Sequence, residues 1–218
     1  MKTKTRFYRF VENDSMNYLA HLYLSGNNEK IIVGNFIGDY VKGNKYQQFP
    51  IEIQKGIIMH RQIDTFTDTH PKFREAKQLL LPHFRLYSGI VVDLFYDYFL
   101  ASQWNKFSTV TLRQFSKNIH AVLLSHFFYL PLRVQGFLPS LIQSKRLESY
   151  ARKSGIGKSL EIMSRYTSLP ANSKEAIAVL KSNHTFFENN FTVFMNDMIE
   201  FVEAEFHTTL KNPTESGF

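Results

Sequence analysis

From Met16 onward the apolar residues of this chain return at steps of three and four, the spacing that lines one face of an α-helix. Leu19, Leu22 and Tyr23 begin the pattern, and Ile31, Ile32, Phe36, Ile37 and Val41 continue it. Pro50 is placed to open the next helix, with Ile53, Ile57, Ile58 and Ile63 as its stripe, and Pro71 falls in the first turn of another. Gly89 to Trp104 is the most apolar segment; Thr111 to His126, Gly157 to Tyr166, Ser173 to Glu188 and Phe191 to Leu210 complete the series. Ser173, with Lys174-Glu175 in the first turn and Ala176 and Ile177 behind it, reads as a helix N-cap. Strand alternation and Asn-Gly or Asp-Gly hairpin turns are missing. The pattern predicts an all-α, single-domain compact bundle of about eight to ten helices. The stretch from Leu130 to Pro139, with two prolines and Gly136, is expected to cross irregularly.

Composition narrows the chemistry. With no cysteine among 218 residues, a disulfide scaffold, a thiolate zinc site and a cysteine nucleophile are all excluded. Any metal must then use oxygen and imidazole ligands, and the chain suits the reducing cytoplasm, its expected location. No stretch reaches the ~20 apolar residues a membrane span needs. The net charge of +7 favours an anionic partner, whether nucleic acid, an acidic protein or a phosphorylated small molecule. Residues 1–15 hold four cations against two acids and no apolar signal core, and read as a poorly ordered basic extension ahead of a helical domain at 16–218. Met16 is a second candidate start.

The informative polar residues sit in the first half, inside apolar helices. His60, Asp64 and Asp68 stand at i, i+4 and i+8, on one side of a helix. An imidazole and a carboxylate one turn apart make half of a divalent-metal site, or equally a surface salt bridge. Asp93 and Asp97 repeat the spacing in a segment apolar almost all round, where a buried carboxylate needs a cation or several donors to meet it. Asp39 lies in another apolar helix, with Gly43 as its expected left-handed terminator, and His21 lies in a third. Taken singly, each has an ordinary structural reading. Together they are what packed helices bring to one pocket.

Three other patterns are set aside. Gly155-Ile156-Gly157-Lys158-Ser159 looks like the end of a phosphate-binding loop, but Arg152 stands where that pattern needs glycine and no strand precedes it. His120, His126, His184 and His207 share no helical face and are expected in core or surface positions. Phe186, Phe187, Phe191 and Phe194 recur at helical spacing and are expected to pack the core.

Met16-Asn17-Tyr18-Leu19-Ala20-His21-Leu22, Gly38 through Gly43, Gly56 through Asp64, Asp68, and Asp93 through Phe99 occur in that order, and so arranged the first half resembles the bacterial acyl carrier protein phosphodiesterase family. The resemblance is specific from Met16 to about Trp104. It implies hydrolysis of the phosphodiester that joins 4′-phosphopantetheine to a serine of holo-acyl carrier protein. It also implies Mn²⁺ (or Mg²⁺) as cofactor and a distant likeness to the all-helical HD hydrolases. Here His60 and Asp64 are one helical turn apart, not adjacent as in the HD pattern. On that basis His21, Asp39, His60, Asp64 and Asp97 are the expected metal ligands. Asp93 is expected as a further ligand or water-orienting base.

The residue types suit that chemistry. A phosphodiester repels hydroxide, and a divalent ion both acidifies water and polarises a phosphoryl oxygen. Hard oxygen donors with one or two imidazoles suit Mn²⁺ or Mg²⁺. Arg61 is expected to grip phosphate with its fork, and Lys42 is a second candidate for substrate binding. The implied partner is an acidic acyl carrier protein, not nucleic acid and not membrane. Arg146, Arg152, Lys153 and Lys158 form either its docking face or simply a soluble surface. The alternatives are an HD-type nucleotide phosphohydrolase and a non-catalytic nucleic-acid-binding helical protein.

Overall fold

The computed structural model describes residues 18–210, so the expectation for residues 1–15 lies outside the described part. Eleven α-helices follow one another: α1 Tyr18–Leu24, α2 Glu29–Ile37, α3 Ile51–Thr69, α4 Pro71–Phe84, α5 Ser88–Ser102, α6 Leu112–Ser125, α7 Leu132–Gln143, α8 Arg146–Ser149, α9 Lys153–Tyr166, α10 Ser173–Ser182 and α11 His184–Phe206. There is no strand among the described residues, and the fold is all-α around one core. No helix among them is long and apolar enough to cross a membrane.

The central element is α5. Val91, Val92, Leu94, Phe95, Phe99 and Leu100 are buried on all sides of it, as a helix without a polar face must be. α11 covers it through Phe187, Phe191, Phe194, Met195 and Met198, so three of the four phenylalanines pack the core as their spacing predicts, while Phe186 is exposed. Phe95 meets Phe187 edge-on at 5.1 Å, and Tyr96 lies 5.0 Å from Phe194.

α2 and α3 cross with no side chain between them. A Cβ on Gly34 would stand 2.2 Å from the Ile53 carbonyl oxygen, and one on Gly56 would stand 2.3 Å from that of Ile31. Only two glycines allow this approach. Asn28 caps α2 by accepting from the N–H groups of Lys30 and Ile31 at 3.0 and 3.2 Å. His70 caps α4 through Nδ1, with Pro71 behind it, and turns Nε2 to Asp197 at 3.0 Å.

Several local details differ from the sequence reading. The stretch expected to cross irregularly holds α7, which carries Pro139 inside it and runs on to Gln143 although that residue has no N–H to give the Gln135 carbonyl. α2 stops at Ile37 and passes into a 3-10 turn over Gly38–Tyr40. Gly43 does adopt φ +57°, but it opens a second 3-10 segment instead of closing an α-helix. Asn172, not Ser173, holds the cap position of α10, and the Ser173 hydroxyl turns to Glu161 at 3.4 Å. The helix expected over Ser173 to Glu188 breaks at Asn183, so two helices stand there. Residues 155–159 lie inside α9, a helix and not a loop.

Candidate active site

α2 packs against both α1 and α3, and the inner polar side chains of the three share one place. His21 comes from α1, Asn35 from α2, His60 and Asp64 from α3, and Asp39 from the 3-10 turn after α2. Both imidazoles are buried, at 5% and 4% exposure, and stack with centroids 4.1 Å apart. His21 Nε2 is 3.4 Å from Asp64 Oδ1, and His60 Nε2 is 3.3 Å from Asp64 Oδ2 and 3.4 Å from Asp39 Oδ1. Asp39 is mostly covered, whereas the Asp64 carboxylate is half-exposed and faces the opening.

The tautomers follow from Asn35. Its Nδ2 donates to the His21 carbonyl and to Ser25 Oγ, both at 2.9 Å, which fixes the amide orientation because a carbonyl can only accept. Its Oδ1 therefore accepts from Nδ1 of His21 at 2.9 Å and from Nδ1 of His60 at 3.2 Å. In the neutral imidazoles both Nε2 atoms then carry lone pairs, and both point at Asp64. Nε2 of His60 is buried and makes no well-aligned hydrogen bond despite two carboxylates within 3.4 Å. Lone pairs facing carboxylate oxygens repel unless a proton or a cation lies between them.

The charges show the same tension. Burial opposes the imidazolium of His60, but Asp39 and Asp64 outweigh it and raise its pKa. Burial works against the Asp64 carboxylate, yet His21, His60 and the more distant Lys42 hold its pKa below the usual value. Donor atoms of His21, His60 and Asp64 lie within 4.8 Å of one another. Two imidazoles and a carboxylate, with Asp39 beside them, form a donor set that fits a hard divalent ion.

A cavity of about 560 Å³ opens beside this cluster. Its polar lining includes His21, Asp39, Asp64, Asp68 and Asp93, and its apolar lining Phe73, Tyr96, Phe194, Met195 and Met198. Lys77 is the one cation among its lining residues. Burial, then the charges of Asp64 and Asp97, push the Asp93 carboxyl well above the carboxylate range, with His21 opposing. A larger cavity of about 640 Å³, between α6 and the chain after α1, has Glu29 as its one charged lining residue.

Two expected site residues are turned elsewhere. Asp97 is fully buried and does not face the cluster: its Oδ2 accepts from the Leu19 N–H at 3.2 Å and its Oδ1 from the Ala20 N–H at 2.9 Å. It caps the first turn of α1 from a distance of 77 residues in sequence. Arg61 donates from Nη2 to the carbonyls of Val41 and Gly43 at 2.9 and 2.8 Å and lies over the Tyr46 ring. It straps down the 3-10 segment through that one nitrogen. Lys42 is exposed at the rim. Asn35 was missed in the sequence reading; an amide inside the apolar run Ile31 to Ile37 was the available signal.

Fold and site together define a class: an all-α hydrolase whose imidazoles and carboxylates converge beside an open cavity. Residues 16–198 match the family model described as acyl carrier protein phosphodiesterase. Acyl carrier protein phosphodiesterase of Yersinia pestis is 33% identical over 177 residues, 81% of this chain and 88% of that protein. The protein of the same name from Serratia proteamaculans is 30% identical over 186 residues, 85% of this chain and 96% of that one. That from Photorhabdus laumondii is 33% identical over 151 residues, 69% of this chain and 76% of that protein. No solved structure matches. The chain belongs to the acyl carrier protein phosphodiesterase family, and the match runs well past Trp104, where the resemblance of motifs ended.

Proposed function

We propose that this chain hydrolyses the phosphodiester between 4′-phosphopantetheine and the carrier serine of holo-acyl carrier protein, releasing apo protein and free phosphopantetheine. The observation that carries this reading is the convergence of the His21 and His60 Nε2 lone pairs on Asp64 at 3.3 to 3.4 Å, beside a cavity. His21, His60 and Asp64, joined by Asp39, would hold Mn²⁺ or Mg²⁺. Such an ion, when bound, neutralises the phosphodiester and acidifies water.

The chain's own residues do the rest. Asn35 keeps both Nε2 atoms available by holding both Nδ1 protons. Asp93 lines the cavity, and its raised pKa suits it to give a proton to the departing serine oxygen and to take one from the attacking water. Lys42, exposed near Asp64, attracts the substrate anion from the rim. The apolar lining of the cavity accommodates the pantetheine arm. Asp97 supports the site by holding α1, and with it His21, in place. We assign the activity to the cytoplasm, on the cysteine-free composition and the carrier substrate.

Mass spectrometry of holo-acyl carrier protein after incubation tests this reading. The phosphopantetheine mass is lost with Mn²⁺ and retained with EDTA or with Asp64→Ala. Retention by the wild type with Mn²⁺ overturns the assignment.

A further inference from the structure

Between Tyr98 and Leu147 the chain has fifty residues without one carboxylate. Six cations fall there: Lys106, Arg113, Lys117, Arg133, Lys145 and Arg146. The rest of the chain carries twenty cations against nineteen acids, so nearly the whole net charge of +7 arises in this one segment. It forms α6, α7 and the turns around them.

The same segment has the most concentrated exposed apolar surface among the described residues. Of twelve exposed large apolar side chains, four lie within nine residues: Leu124, Phe128, Tyr129 and Leu132. Phe128 is 95% exposed and Leu132 is 84% exposed. Side chains left in water to that extent, close together, mark a contact surface. On α6, Lys117, Ala121 and Leu124 follow at four- and three-residue steps along its exposed side, leading toward Phe128.

This surface adjoins the candidate active site. Arg133, in the first turn of α7, lies over the Tyr40 ring at 5.9 Å, and Phe137 packs 5.8 Å from the same ring. Tyr40 follows Asp39 directly and is bonded to Tyr18 of α1 through the two hydroxyls at 2.8 Å. A partner seated on α7 is thus one side-chain layer from the turn that carries Asp39. Of the basic run Arg146, Lys153 and Lys158, Arg146 donates to Ser159, Lys153 lies over Tyr98, and Lys158 faces Glu161.

We propose that the surface built by this acid-free segment docks the acidic carrier protein, with Phe128 and Leu132 as apolar anchors and Lys117 and Arg133 as flanking cations; Glu29, paired with His126, is the acid beside it. The inference rests on the carrier-protein reading above and adds to it the place of contact. Charge selects an acidic partner. The aliphatic Leu124 and Leu132 favour protein over nucleic acid, since they offer no ring on which a base stacks. Apolar anchors inside a basic rim give affinity from the centre and orientation from the edge.

The test measures binding of fluorescent holo-acyl carrier protein and, separately, phosphopantetheine release, for three double variants of the full chain. Phe128→Ser with Leu132→Ser weakens binding about tenfold or more, with the loss in KM and not in kcat. Lys117→Ser with Arg133→Ser weakens binding and flattens its dependence on salt. Lys174→Ser with Lys181→Ser, which removes the same charge from α10, leaves affinity within about twofold. All three alter exposed side chains, and the thermal midpoint of each is checked first. Unchanged affinity in the first two variants overturns the docking face, as does cross-linking of this face to RNA or to a second copy of the chain in place of the carrier. Binding that the face variants abolish, with no phosphopantetheine released by the wild type, upholds the face and strikes the reaction.

Discussion

Asn35 and His21 hold each other twice: the amide Oδ1 accepts from the imidazole Nδ1, and the amide Nδ2 donates to the His21 carbonyl, both at 2.9 Å. Because the same Oδ1 also meets His60, one uncharged side chain sets the protonation of two imidazoles. Asn35→Leu is expected to weaken Mn²⁺ binding by about 10- to 100-fold, the range for a lost partner of a metal ligand. Titration calorimetry reads the affinity. Equal affinity in Asn35→Leu and wild type would exclude the orienting role.

Asp97 and Asp64 are expected to separate cleanly. Asp97→Ala removes a buried helix cap and leaves a cavity, lowering stability by about 2 kcal/mol or more, with metal binding lost only in proportion to disorder in α1. Asp64→Ala, at a half-exposed carboxylate, leaves the thermal midpoint of the metal-free protein within a few degrees and abolishes Mn²⁺ binding. Calorimetric unfolding and metal titration of both variants, side by side, check the pair; a reversed order makes Asp97 the ligand.

That pair also shows how far the sequence could be read. Acids and imidazoles inside apolar helices are visible because burying them is costly, and His21, Asp39, His60 and Asp64 were found that way. Asp97 carries the same signal, yet the spacing of Asp93 and Asp97 is the same whether a carboxylate faces a cavity or the N-terminus of another helix. Only the packing of α1 against α5 decides. For Arg61 the sequence shows a possible phosphate fork but not the two backbone carbonyls that its Nη2 reaches. Asn35 has no charge to betray it, and its role exists only because α2 sets it between two histidines. Helix periodicity gave the all-α fold, while Pro139 and Gly136 concealed α7, since a proline inside a helix looks the same in sequence as one that breaks a helix.

Asp97 also predicts a pH dependence. Burial, opposed by its two backbone donors, raises its pKa to about 7, against about 3.9 in an unfolded chain. Between those values the folded state binds the extra proton, so the stability linked to it is complete below about pH 4 and fades as pH rises to about 7. Asp97→Asn has no such proton. The difference in unfolding free energy between wild type and Asp97→Asn should shift against the wild type across that window and level off above it. A flat difference from pH 4 to 8 excludes the shifted group.

Gly38 and Gly34 predict opposite kinds of damage. A Cβ on Gly38 would lie 2.3 Å from His60 Cγ, so Gly38→Ala must push the imidazole aside. The expected result is at least about a tenfold loss of Mn²⁺ affinity, with about 1 to 3 kcal/mol of stability lost to overpacking. Gly34→Ala meets the Ile53 backbone at 2.2 Å, which cannot swing away, and should cost more stability. Chemical denaturation combined with metal titration distinguishes them.

The bare main-chain crossing of α2 on α3 gives the cluster one more property. Where side chains separate two helices, a change of rotamer lets them slide; where backbone touches backbone, the spacing is as stiff as the helices themselves. Asn35 and His60 ride on either side of that contact, so main chain and not rotamers sets their separation. An arriving ion would meet a socket already cut to size, and the binding energy would go into grip instead of rearrangement.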